Sequence, residues 1–301
     1  MDRHHEAFMK PYEKLTFRDD FMFGKTMEDK ELCRDVLQCL LQSPVGELDE
    51  LESQKQYRHT KDGKYIRVDI CTRDDTAIYD AEMQNLNNRT IESLELPKRS
   101  RFYQSAIDTD VLKGGDSYNT LPTVHIMFIC TFDPFGLGLP VYTFRERCDG
   151  HPELLLGSDT EKHFFNCTYD GDDIPEALHK LYGYIKSGKA QDALTDRIER
   201  AVSDARMNEI WRSAYMKERV LLMDARQAGF EVGREEGLEL GREEGLELGR
   251  EEGREEGREE GRNSIISFML NSGKSPEDIA RLCGVSEDDV NCVAKKLLRT
   301  V

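Results

Sequence analysis

The chain has 301 residues, enough for one large domain with an appendage or for two domains. Apolar residues make up 38% and charged residues 34%, so part of the chain buries little. A formal charge of −17 excludes a protein that coats nucleic acid through bulk positive potential, so any contact with DNA must be local or bridged by a metal ion.

Residues 26–42 carry Leu32, Val36, Leu37, Leu40 and Leu41 at helical spacing behind an acidic start, which predicts a helix packed on one side. Two runs follow, Tyr65 to Cys71 and Ala77 to Gln84, with β-branched or aromatic residues at alternate positions. They flank the polar Arg73-Asp74-Asp75-Thr76 and predict a β-hairpin. Alternation puts Asp80, Glu82 and Gln84 on one face of the second arm and Tyr79, Ala81 and Met83 on the other. With Asp69 facing the same way, two carboxylates meet at one point and offer Mg²⁺ the hard oxygen ligands it takes beside a substrate phosphate. Such an ion activates a water and stabilises the charge that builds on a phosphodiester under attack. A hairpin with one solvated face would carry Asp, Glu and Gln at the same positions, and spacing alone leaves both readings open.

A polar segment runs from Asn85 to Pro97. Residues 98–113 then show Phe102, Tyr103, Ile107, Val111 and Leu112 in a helical pattern, with Lys98, Arg99 and Arg101 at the start and Lys113 near the end. Past Gly114-Gly115, the continuous apolar run Thr123 to Cys130 reads as a central strand covered on both faces. Tyr142 to Phe144 and Lys162 to Cys167 read as further strands, and the pattern is helical again from Ile174 to about Arg226. Residues 1–228 thus predict a mixed α/β domain with a sheet core.

Residues 229–262 differ in kind, with glycine at every fourth position from Gly229 to Gly261 and Arg-Glu-Glu or Leu-Glu-Leu in most of the gaps. Thirteen Glu and six Arg give this low-complexity segment a net charge of −7. Each Arg has a Glu three residues before it, which supports helix, while each glycine costs about 1 kcal/mol relative to Ala. A period of four drifts about 40° around a helix per glycine, so a solvated helical spacer and a self-association element are both open readings. In residues 263–301, Ser275-Pro-Glu-Asp278 and Ser286-Glu-Asp-Asp289 are helix starts, and Ala280, Gly284 and Val290 stand at helix-turn-helix offsets. The second of these helices opens on acidic residues and turns basic only at Lys295-Lys296, so DNA contact and protein docking both remain open.

Eight cysteines, without a Cys-x-x-Cys pair or a His at zinc-finger spacing, predict free and mostly buried thiols in a reducing cytosol. Residues Met1 to Glu6 begin no signal-like apolar run, and no stretch approaches a membrane span in length. The expectation is a cytoplasmic protein without membrane contact.

Taken in order, Leu15 to Lys25, Arg67-Val-Asp-Ile70, Glu82-Met-Gln84, Arg101-Phe-Tyr-Gln104, Leu112 to Tyr118 and the strand leading into Phe132-Asp-Pro-Phe135 carry a resemblance. Over residues 12–230 the chain resembles the Rpn-type recombination-promoting nucleases, also called PD-(D/E)XK nuclease family transposases, and its repeat and tail are similar to that family's C-terminus. The resemblance implies an α/β fold, a restriction-endonuclease-like mixed sheet flanked by helices, followed by the repeat helix and a helix-turn-helix-like tail. It implies Asp69 and Glu82 as Mg²⁺ ligands, with Asp20 touching the metal through water. Gln84 stands where the wider superfamily has Lys, and can orient water but cannot supply an ammonium charge. Lys98, Arg99, Arg101 and Lys113 would then hold DNA phosphates. The implied activity is a Mg²⁺-dependent DNA endonuclease of recombination, mobile DNA or phage defence. The alternative is a catalytically weak DNA-binding or oligomeric regulatory protein on the same fold, with homo-oligomers formed through the repeat or the tail.

Overall fold

The computed structural model describes residues 10–57, 66–85 and 92–298. Tyr65, residues 86–91 of the polar segment and the N-terminal stretch Met1 to Glu6 lie outside the described residues. The chain divides into two compact units, Met1–Arg219 and Val220–Val301.

The first unit opens with two short helices, α1 (Asp20–Thr26) and α2 (Lys30–Leu41). Asp29 caps α2 by accepting from the N–H groups of Glu31 and Leu32, so the helix starts four residues later than its apolar pattern alone suggests. A meander of β1 (Glu50–Tyr57), β2 (Ile66–Arg73) and β3 (Ala77–Gln84) leads to α3 (Glu92–Val111). Then come β4 (Thr123–Cys130), β5 (Val141–Phe144), the small hairpin β6 (Arg147–Cys148) with β7 (His151–Leu155), and β8 (Thr160–Asn166). Helices α4 (Glu176–Ser187) and α5 (Ala193–Arg206) and the start of α6 (Glu209–Asn271) complete the unit.

The main sheet has the order β1-β2-β3-β4-β8-β5. β1, β2 and β3 run antiparallel, whereas β3, β4 and β8 are parallel and β5 closes the far edge antiparallel. The apolar run 123–130 becomes β4, buried on both faces between parallel neighbours. One face of the sheet carries Ala81, Met83, Met127, Ile129 and Phe165 against α1, α2, α4 and α5. The other carries Ile78, Ile126, Phe128 and Phe164 against Leu96, Tyr103, Ala106 and Ile107 of α3. This six-stranded mixed sheet flanked by helices is consistent with a restriction-endonuclease-like fold.

Two elements differ from the sequence expectation. β1 has no apolar alternation to announce it, because Glu-Leu-Glu-Ser-Gln-Lys-Gln-Tyr is an edge strand whose backbone pairing with β2 does the work. The segment expected to be polar and irregular up to Pro97 is already helix from Glu92, with Pro97 inside α3. Proline removes one helical hydrogen bond there, and the helix continues because Leu96 and Tyr103 bury their side chains on the sheet.

The second unit comprises the remainder of α6 with α7 (Pro276–Cys283) and α8 (Glu287–Leu298). The glycine repeat is helical, and a methyl group added at any of its nine glycines would meet open space. Ile266, Ile279, Ala280, Val290 and Val293 make a small core, and Gly284 ends α7 in the left-handed region at φ 65°, which favours glycine. All eight cysteines are free and five are buried. No helix among the described residues is long and apolar enough to cross a membrane.

Candidate active site

β2 and β3 pair in register from Arg73 opposite Ile78 to Ile70 opposite Ala81. At the next position side chains take over from the ladder. The N–H of Asp69 donates to Glu82 Oε1 at 2.7 Å, and the N–H of Met83 donates to Asp69 Oδ2 at 3.0 Å. On the other side of β2, the pairing with β1 skips Gln54, the residue abreast of Asp69, whose backbone is left-handed at φ 54°. A non-glycine residue in that region costs roughly 1–2 kcal/mol, a strain that the surrounding pairing must hold. Asp69 therefore sits where the ladder opens on both sides, and its carboxylate is fixed by backbone rather than left to swing.

Asp80 lies on the same face of β3 as Glu82, with Ile126 of β4 as its neighbour in the ladder. It is 0% exposed, and neither carboxyl oxygen has a hydrogen-bond partner among the described residues. Burying a polar group without a partner costs several kcal/mol at most and is rare in native structures. Asp69, Asp80 and Glu82 thus form a group of three buried carboxyls at one place in the sheet.

Their titration follows from that burial. Loss of water, then the charge of Asp20, pushes Asp69 up to about 7, against the N–H of Met83 and the guanidinium groups of Arg67 and Arg99. Burial followed by repulsion from Asp69 holds Asp80 well above the usual carboxylate range. Burial, then Asp69 and Asp80, does the same to Glu82. Buried side by side and repelling one another, the three carboxyls do not all ionise together.

Arg99 of α3 packs its guanidinium against Glu82 of this group and against Gln84. Its Nη1 donates to Gln84 Oε1 at 3.0 Å, and its Nη2 donates to Tyr103 Oη at 2.9 Å and lies 3.4 Å from Glu82 Oε2. The rings of Tyr103 and Phe128 lie 5.4 and 5.6 Å from its guanidinium carbon. Arg99 is therefore held among these side chains, unlike the cations beside it. Lys98 and Arg101 lie exposed on α3, and Lys113 is exposed just past its end. Asp20 opens α1 with its side chain half exposed and 3.8 Å from Arg67 Nη2. Its charge reaches Asp69, so the structure brings Asp20, Asp69, Glu82, Gln84 and Arg99 into one neighbourhood.

Residues 15–135 match the model of the PD-(D/E)XK nuclease family transposases. The PD-(D/E)XK match begins ahead of α1 and ends beyond β4, so it takes in every residue of this group. No curated protein and no solved structure matches the chain. Asp80 and Tyr103 are the members of the group that a search for the metal-ligand pair alone passes over. Alternation already put Asp80 on the face of Glu82; what the sequence could not show is that this face is covered by α3 rather than by water.

Proposed function

We propose that the first unit is a Mg²⁺-dependent DNA endonuclease. The observation that carries this reading is the unpartnered, fully buried carboxyl of Asp80 beside Asp69 and Glu82, a donor set short of positive charge. PD-(D/E)XK nucleases use divalent metals, and the family model spans all three residues. Asp69 and Glu82 would hold the cation, with Asp80 setting the charge beneath them. The bound ion supplies a water of lowered pKa and offsets charge on the phosphodiester.

The chain's own groups do the rest. Gln84 accepts from Arg99 through Oε1, which leaves its amide N–H groups to orient the attacking water. Arg99 brings from α3 the positive charge that Gln84 lacks, and a guanidinium anchored to Glu82 and Tyr103 needs no reorganisation to stabilise a developing phosphorane charge. Asp20 adds negative charge at the rim of Asp69 and serves through water. Lys98, Arg101 and Lys113 would contact flanking phosphates, which position a duplex without reading its sequence. The substrate would be DNA of mobile elements or phage.

The test is nicking of supercoiled plasmid by the full chain in Mg²⁺. The wild type is expected to cut and Asp69→Ala to lose at least 10²-fold in rate. Equal cutting by the two would remove Asp69 from the site, and retention of plasmid without product at any Mg²⁺ concentration would favour a DNA-binding regulator.

A further inference from the structure

On the opposite face of the same sheet, His125 of β4 and Glu161 and His163 of β8 turn their donor atoms toward one another. His125 Nδ1 lies 3.2 Å from His163 Nε2. Glu161 Oε2 lies 3.3 Å from His163 Nε2 and 3.8 Å from His125 Nδ1. These three separations admit one point about 2 Å from all three atoms, the length of a zinc bond to imidazole nitrogen or carboxylate oxygen.

We propose that His125, Glu161 and His163 bind a transition-metal cation of the zinc class, at a site separate from the carboxylates of Asp69, Asp80 and Glu82. Two imidazoles and one carboxylate suit Zn²⁺ or a neighbouring first-row ion and suit Mg²⁺ poorly, since Mg²⁺ prefers all-oxygen octahedra.

The surroundings hold each ligand in place for this role. Thr143 Oγ1 of β5 lies 3.2 Å from His163 Nδ1, which occupies that nitrogen and aims Nε2 at the centre. The ring of Tyr79 on β3 stacks on His125 with centroids 5.4 Å apart and planes 7° apart, fixing the imidazole. Arg145 pairs with Glu161 through Oε1, so Oε2 is the oxygen that faces the two histidines. Four adjacent strands thus contribute.

The site opens on a cavity of about 630 Å³ whose apolar wall includes Leu41, Pro44 and Leu178. Three protein ligands beside a cavity are the pattern of a zinc site that keeps a position for water or a further ligand, whereas structural zinc is enclosed by four. A sheet ladder that already joins β4 and β8 gains little from a purely structural clamp. This site lies beneath α2 and α4, while Asp80 and Glu82 lie beneath α3, so occupancy of one does not presuppose the other.

The experiment uses the full chain, stripped with chelator and titrated with Co²⁺ as the spectroscopic probe for zinc, in the presence of millimolar Mg²⁺. The expected result is a saturable visible d–d band of low-symmetry four- or five-coordinate cobalt at one-to-one stoichiometry, bleached by Zn²⁺. His163→Gln and His125→Gln are expected to weaken cobalt binding at least tenfold, with far-UV circular dichroism unchanged, and Asp69→Asn is expected to keep the band. A hydrogen-bonded His–Glu–His chain with no metal role predicts no band in the wild type, and that result overturns the proposal. A band that survives in both histidine variants, or disappears in Asp69→Asn alone, overturns it as well. Should a histidine variant fail to fold, Glu161→Gln and the wild-type titration decide it by the same criteria.

Discussion

A carboxyl group such as Asp80, sealed under α3 without a hydrogen-bond partner among the described residues, costs the folded state stability. Asp69, at about 7, and Asp80 and Glu82, both well above the ordinary range, hold protons in the native state that an unfolded chain releases near pH 4. The metal-free protein therefore loses stability as pH rises from about 4 through 7, because the native state binds more protons than the unfolded state over that window. Asp80→Asn should raise the melting temperature of the metal-free protein at pH 8 by roughly 2–8 °C and change it little at pH 5. A variant that melts lower at pH 8 would show that Asp80 is stabilised by contacts other than those observed. Mg²⁺ should displace protons on binding at pH 7, visible in calorimetry as a heat that depends on the buffer's ionisation enthalpy. Arg99→Gln should slow nicking by roughly 10²-fold, with Arg99→Lys recovering part of the loss, since the ammonium restores charge without the fork to Gln84. At this scale strand alternation, a local rule, made the shared face of Asp80, Glu82 and Gln84 legible, whereas the position of Asp69 depends on the opening of both strand pairings around it. Arg99 was legible only as one of three cations at a helix start; its turn toward Glu82 depends on how α3 lies on the sheet, which no local pattern records.

Elements with a strong apolar period were legible: α2, β2, β3 and β4 could all be read from residue spacing, since burial on one or both faces writes itself into composition. β1 could not, because an edge strand rests on backbone pairing and its mostly polar side chains, exposed or half-buried, carry no apolar alternation. The helix start at Glu92 was hidden by Pro97, a local breaker overruled by packing of α3 on β4. Exposed cations on α3 make a quantitative prediction for DNA. The double variant Lys98→Ala with Arg101→Ala should lower the slope of log affinity against log salt by about 2, as each phosphate contact contributes about 0.9. An unchanged slope would take α3 out of the DNA interface. In the repeat, the glycines face open space, so only helix propensity acts on them. Replacing Gly241, Gly245 and Gly249 with Ala should stabilise that helix by up to about 1 kcal/mol per site, read as increased ellipticity at 222 nm on heating. A loss of ellipticity would mean that the glycines serve a close approach of another chain.

Over the whole molecule, charge and core are unevenly shared. The formal charge of −17 includes −7 within residues 229–262, while the extensive apolar clusters lie in the first unit. The second unit rests on five buried apolar side chains, a core too small to match the sheet in stability. The sole tryptophan, Trp211, packs against the main cluster of the first unit, so its fluorescence reports that unit alone, whereas ellipticity at 222 nm reports both. Thermal unfolding followed by the two probes should not coincide, with ellipticity falling first. Coincident curves would show one cooperative structure. The proposal that a cation binds the Asp69 and Glu82 carboxylates, at the point where two strand pairings open, is most directly tested by diffraction from crystals of the full chain soaked in Mn²⁺. An anomalous peak within bonding distance of the Asp69 and Glu82 carboxylates, lost in Asp69→Ala, is the predicted result; soaked crystals with no peak at these carboxylates would contradict it.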